Sequence, residues 1–305
     1  MTSAARHRQP RRVAVGISNF ILTRYPPVLS SVYVLAFGVG GIGLFAALAG
    51  ERIPASAIPM LGIVAVTLFA DLLIMRVIDD IRDSDYDRIA NPERPVASGA
   101  VAHRELSTLC ALCATVIVVV NLFFPSGLFI IVVQLLYAGA LTAVGQRFPA
   151  TRGDNLVLNL LVSLPVQLLL YVYLLAAFVN IRADAPTAVV GGLGILILTL
   201  SAGQVEFGKK LVRQPAPGER SYVNSIGYHT TSLLTIGTGP LAVALFAIAA
   251  PVSPLAKAFV ALPAIGVAGI GIKYLSHKDN RWPAVVSTLG LLGTLVAFAV
   301  VGVVG

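Results

Sequence analysis

Residues 71–99 read DLLIMRVIDDIRDSDYDRIANPERPVASG, and they hold seven of the fourteen acidic residues of a 305-residue chain. The stretch begins inside an apolar run and ends in a polar turn. Asp79, Asp83 and Asp87 stand at i, i+4 and i+8, a spacing that rotates only about 40° per step around a helix. The pattern predicts three carboxylates stacked along one helix face, with Asp80 and Asp85 to the side. Like charges stacked this closely repel unless cations neutralise them. Hard oxygen ligands suit Mg²⁺ or Mn²⁺, and the interleaved Arg76, Arg82, Arg88 and Arg94 suit an anion held beside the metal. A mixed-charge run can equally be a solvated loop after a membrane helix. The acid spacing and the tail from Asn91 to Gly99 favour the functional reading.

Outward from this stretch the chain is strongly apolar. With 57% hydrophobic and 12% charged residues and a mean hydropathy of +0.86, it is not a soluble globular chain. A helix needs about 20 apolar residues to cross a bilayer. Nine segments qualify, near 28–49, 57–80, 103–123, 127–146, 155–179, 187–208, 231–250, 255–274 and 283–303. The expected fold is all-α, a polytopic bundle of nine transmembrane helices. Two units follow, a basic cytoplasmic segment over 1–25 and a single transmembrane domain over 26–305. No removable signal peptide is visible.

The net charge of +8 is not a nucleic-acid footprint. With the N-terminus in the cytoplasm, only Arg52, Arg182 and Lys257 of the Lys and Arg residues fall outside. That asymmetry predicts a cytoplasmic N-terminus and a cytoplasmic acid-rich stretch. After nine spans, the C-terminus lies on the opposite side. The four arginines Arg6, Arg8, Arg11 and Arg12 suit attraction to anionic lipid.

Three lesser signals point to packing. Gly38, Gly40 and Gly43 match G-x-G-x-x-G, but they lie inside an apolar span with no strand before them, so close helix packing explains them. Cys110 and Cys113 form a CxxC without further ligands and read as small residues on a packed helix. Asp71 lies within the second span, where a charge costs at least about 2.5–3.5 kcal/mol, so it should pair or face a wet cavity. Arg76 is a loose helical partner for it, and a true i, i+4 partner for Asp80.

The acid-rich stretch resembles the first aspartate-rich motif of the UbiA superfamily of intramembrane prenyltransferases, written NDxxDxxxD and followed by an Arg-Pro loop ending in Ser-Gly. Here it runs from Asp79 and Asp80 through Asp83 and Asp85 to Asp87, then Arg94-Pro95 and Ser98-Gly99. Asp79 replaces the family's usual Asn, and the loop to Arg94 is shorter. Arg24 with Pro27 resembles the family's Arg-x-x-Pro at the first span, and Arg147 occupies the turn where the family places a basic residue toward the diphosphate. The second motif, roughly DxxxD, becomes Glu206 and Lys210 here, followed by Arg220, Tyr222 and Gly227. A charged lysine cannot bind metal; it can contact phosphate as a point charge.

The resemblance implies helices around a central cavity and transfer of a prenyl group from an isoprenyl diphosphate to an acceptor it does not identify. It implies Asp79, Asp80, Asp83, Asp87 and Glu206 as ligands of Mg²⁺ or Mn²⁺. Asp79, Asp83, Asp87, Glu206 and Lys210 are its catalytic candidates, and Arg24, Arg94, Arg147, Lys210 and Tyr222 its substrate-binding ones. The bilayer is the expected partner, and nucleic acid is not. A membrane terpene cyclase of the same superfamily is the enzymatic alternative. A divalent-cation carrier is the non-enzymatic one, and it should show broken helices around mid-membrane acids.

Overall fold

The computed structural model describes residues 10–147, 156–182, 187–277 and 279–304. These residues form twelve α-helices in chain order. They are α1 (Pro10–Arg24), α2 (Pro27–Ala49), α3 (Ile58–Arg82), α4 (Ser84–Ala90), α5 (His103–Asn121) and α6 (Pro125–Arg147), then α7 (Leu156–Arg182), α8 (Ala188–Lys209), α9 (Val223–Ile226), α10 (Tyr228–Ala249), α11 (Pro254–Ser276) and α12 (Ala284–Val304). A 3-10 turn, Ala55–Ala57, leads into α3. Among the described residues, nine helices are long and apolar enough to cross a membrane, namely all except α1, α4 and α9. Each predicted span has its helix, displaced by a few residues at the ends.

Local chemistry sets several boundaries. Gly50 closes α2 in the left-handed conformation at φ 70°, which costs glycine no Cβ clash. Glu105 accepts the Ala102 amide at 3.0 Å at the start of α5, and the Thr187 and Ser253 hydroxyls accept amides of the first turns of α8 and α11. Each satisfies a donor that the helix itself leaves unpaired.

The bundle is apolar outside as well as inside. Val28, Phe123, Ile248 and Leu255 are largely exposed, as expected of side chains that face lipid rather than water. The protein is a multi-pass membrane protein. Its most buried span is α2, which packs against α3, α7, α8 and α12. The glycines first noticed as a possible nucleotide motif make this possible. A Cβ on Gly40 would meet the backbone of Leu295, one on Gly43 the Phe298 carbonyl, and one on Gly302 the backbone of Gly43. Backbones touch along the α2–α12 crossing, the close approach that small residues allow in membranes. Cys110 and Cys113 are free thiols on α5.

Residues 10–24, part of the expected basic segment, are folded onto the bundle. They form α1, which lies against α5. Phe20 is fully buried, with Ile17 and Ile21 packed beside it. The apolar face at 17, 20 and 21 is too short to read as a span and was hidden by the arginines before it. Docking α1 carries Arg24 to the ends of the other helices.

Asp71 has the polar partner that its depth demands, although that partner is not Arg76. It is fully buried in mid-span, and its near partner is Gln134, Nε2 to Oδ2 at 3.5 Å. Arg76 lies 3.7 Å from Asp80, its expected i, i+4 partner.

Candidate active site

The chemistry at one end of the bundle is built from three pieces: the end of α1, the α3–α4 junction with its following turn, and the end of α8 with the loop to α9. At the first piece, Arg24 donates two hydrogen bonds to Asp80, at 2.6 and 2.7 Å. Asp80 is 3% exposed, and a buried carboxylate without such a partner would be costly. The Asp80 bond raises the Arg24 pKa further above its usual value.

The helix changes direction at Asp83, which has φ −90° and ψ 4° between α3 and α4. Backbone bonds still pass through it, from Asp83 to Asp79 at 2.9 Å and from Asp87 to Asp83 at 2.8 Å. The three acids therefore follow one another by turns, yet they face different partners. Asp79 takes Arg82 at 3.0 Å. Asp83 takes Arg220 at 3.2 Å. Asp87 is buried, and its oxygens accept from Arg94 at 2.7 and 2.8 Å and from Asn91 at 2.8 Å. The expected single stack of carboxylates is thus divided among cations, with Arg94 serving as the buttress of Asp87.

On the opposing side, Glu206 accepts from Lys210 at 3.0 Å and from the Tyr222 hydroxyl at 2.8 Å. These are the i, i+4 pair of the second motif and the aromatic residue after it. Burial, and then the facing Glu206 carboxylate, push the Tyr222 phenol well above its usual pKa. It stays a hydrogen-bond donor at any physiological pH. The loop is fastened from behind. Arg213 bonds the Tyr274 and His277 carbonyls and lies over the Tyr228 ring at 4.7 Å. Trp282 returns its amide to the Leu211 carbonyl at 3.1 Å.

Arg220 joins the two sides. Besides its bond to Asp83, its guanidinium lies 4.4 Å from the Tyr86 ring centroid, a cation–π arrangement. Sequence reading placed Arg220 in the right loop but gave it no role, and missed Tyr86 altogether. The charge at 220, two residues before Tyr222, was the available signal. The Arg147 side chain lies outside the described residues. A cavity of about 410 Å³ opens beside the α3–α4 junction, bordered by Arg82, Asp85, Arg88 and His103. None of Glu206, Lys210, Arg220 and Tyr222 borders it, so the converging ionic groups, rather than that cavity, mark the site.

The donor chemistry, hard carboxylate oxygen, is right for Mg²⁺ or Mn²⁺. The arrangement is not. Among the described residues no three His, Cys, Asp or Glu side chains come together as a possible metal site. Asp79, Asp80, Asp83, Asp87 and Glu206 each already face an arginine or lysine. These residues as folded do not form a ligand set for the ion expected from the sequence.

No protein-family model matches the sequence, and a search of curated proteins finds no match. A solved structure of digeranylgeranylglyceryl phosphate synthase in membranes shares the fold, with a TM-score of 0.52 at 16% identity. The likeness covers 95% of this chain and 99% of that one. The likeness in fold therefore runs over nearly the whole of both chains.

Proposed function

We propose that this protein is a membrane-embedded prenyltransferase of the UbiA type, moving a prenyl group from an isoprenyl diphosphate to an acceptor. The observation that carries the proposal is the meeting of two distant motif loops at one end of the bundle, Asp83 to Arg220. A cluster of cations at the mouth of an apolar bundle suits a substrate with an anionic head and a hydrocarbon tail. The shared fold and the likeness of residues 79–99 to the superfamily's first motif support the same reading.

Arg220, Lys210 and Arg82 carry the N–H donors that a diphosphate needs, and Arg24 and Arg94 hold the framework around them. Leaving-group charge grows as the carbon–oxygen bond breaks. Fixed cations that bind the departing diphosphate more tightly than the intact ester lower that barrier. The allylic carbon then bonds to the acceptor nucleophile, which gives up its proton, and diphosphate leaves. The low-dielectric bundle keeps water from the carbocation before the acceptor reaches it. The carrier alternative finds little support here, since among the described residues Asp71 is the only carboxylate lying deep within a span.

The test is product analysis. Purified protein supplied with allylic diphosphates of graded length and candidate acceptors should release diphosphate and form a coupled product, read by mass spectrometry. A cyclic hydrocarbon formed without acceptor would instead identify a cyclase. No turnover of any diphosphate would remove the enzymatic reading.

A further inference from the structure

The ion pairs at this mouth fall into two classes. Arg24–Asp80 and Arg94–Asp87 are doubly hydrogen-bonded, with both carboxylates 3% exposed. Arg82–Asp79, Arg220–Asp83 and Lys210–Glu206 each rest on one hydrogen bond, at 3.0, 3.2 and 3.0 Å. In these three every partner is between 27% and 48% exposed. The first class builds the mouth and the second can open.

The charges are also unequal. Arg24, Arg76, Arg82, Arg94, Arg220, Lys209 and Lys210 stand against six carboxylates, counting Glu93, whose charge acts on Arg24. Two rim pairs, Arg88–Asp85 and Arg281–Glu219, add one charge of each sign apiece. The surplus is local. The buried Arg76 Nε–H has no hydrogen-bond partner, and its neighbour Asp80 is already engaged by Arg24. A mouth with excess positive charge, whose acids are already neutralised, attracts an anion before it attracts a cation.

We propose that diphosphate enters by ion exchange: Arg82, Arg220 and Lys210 leave their carboxylates for phosphate oxygens, and binding needs no divalent metal. The exchange gives those N–H groups new acceptors, and a diphosphate presents more negative charge to the three cations than any single carboxylate does. The freed Asp79 and Asp83 are partly exposed and can be hydrated, so releasing them costs little. The idea rests on the diphosphate reading above and goes beyond it, because a carboxylate-held metal would assign the same acids the opposite role. Under exchange they compete with the substrate, whereas as metal ligands they recruit it.

The opposing roles give opposing signs in one experiment. Inorganic pyrophosphate is titrated calorimetrically into the purified full chain in nanodiscs, with excess chelator and then with Mg²⁺. Exchange predicts binding in chelator within about tenfold of that in Mg²⁺, and a loss of about tenfold on Arg220→Gln or Lys210→Met. It also predicts that Asp83→Asn binds pyrophosphate about two- to fivefold tighter, because Arg220 has lost its competing partner. A gain cannot come from misfolding. Binding only with Mg²⁺, abolished by Asp83→Asn, would overturn the exchange and leave the diphosphate reading intact. No binding in either condition would remove both.

Discussion

Arg220 and Asp83 are 137 positions apart and 3.2 Å from one another, and the arginine also covers the Tyr86 ring. The loop after α8 is thereby tied to the α3–α4 junction. The pair is partly exposed, so its strength should be that of a screened surface contact with some help from the ring. A double-mutant cycle of Arg220→Gln and Asp83→Asn, read by thermal unfolding, is expected to give a coupling of about 0.2–1 kcal/mol. Strictly additive effects would show that the two loops are held together by other contacts.

The same pair fixes a topological relation. If Asp83 and Arg220 touch, the segments containing Ser98 and Gly218 lie on one side of the membrane. Charge asymmetry predicts that the side is the cytoplasm. Single cysteines at Ser98 and Gly218, in a chain lacking Cys110 and Cys113, should be labelled by an impermeant reagent only after it gains access to the cytoplasm. A cysteine appended after the ninth span should be labelled from outside. Opposite sidedness at positions 98 and 218 would contradict the bundle, and both from outside would reverse its orientation.

The α2–α12 crossing predicts a stability effect far from the chemistry. Gly43 faces the Phe298 carbonyl and Gly302, with no room for a Cβ. Backbone cannot move aside as a flexible side chain can, so Gly43→Leu must separate the two helices and forfeit packing along the crossing. Gly139 and Gly192 have open space where a Cβ would go, and Gly139→Ala or Gly192→Ala serves as the control. Heating in detergent should unfold Gly43→Leu several degrees below the parent, while the controls stay near it. Equal behaviour of all three would remove the close crossing.

These outcomes separate what was legible in the sequence from what was not. The spans were legible because hydropathy over a long window is set by the bilayer and needs no partner. The motif glycines were correctly read as packing because no strand preceded them. The role of the acids was not legible. Spacing reports which turn Asp79, Asp83 and Asp87 occupy, but Arg220 arrives from another loop, and no local period encodes a contact over that separation. Arg24 was matched to the site only by resemblance. Its route there, the docking of Phe20 against the bundle, depends on a short apolar face that the neighbouring arginines obscured.

Lys210 gives the sharpest discrimination at the second motif. Its ammonium reaches Glu206 at 3.0 Å and lies 5.2 Å from the Tyr222 ring centroid, whereas Lys209, one position earlier, is exposed. Both lysines contribute equally to orientation in the membrane, so a topogenic role predicts equal, small effects of substitution. A phosphate-binding role predicts inequality. A hydrogen bond to a charged group is worth about 1.5–3 kcal/mol, or roughly one to two decades when it is stronger in the transition state. Lys210→Met should therefore lower kcat/KM for the diphosphate substrate by about that factor, and Lys209→Met should stay close to the parent. Tyr222→Phe sharpens the comparison, because it removes the other donor to Glu206 while leaving the lysine charge in place. Glu206 then holds Lys210 more firmly, and the expected result is weaker diphosphate binding with the topology unchanged. If Lys209→Met and Lys210→Met lower turnover alike, Lys210 serves only to anchor the inner end of α8.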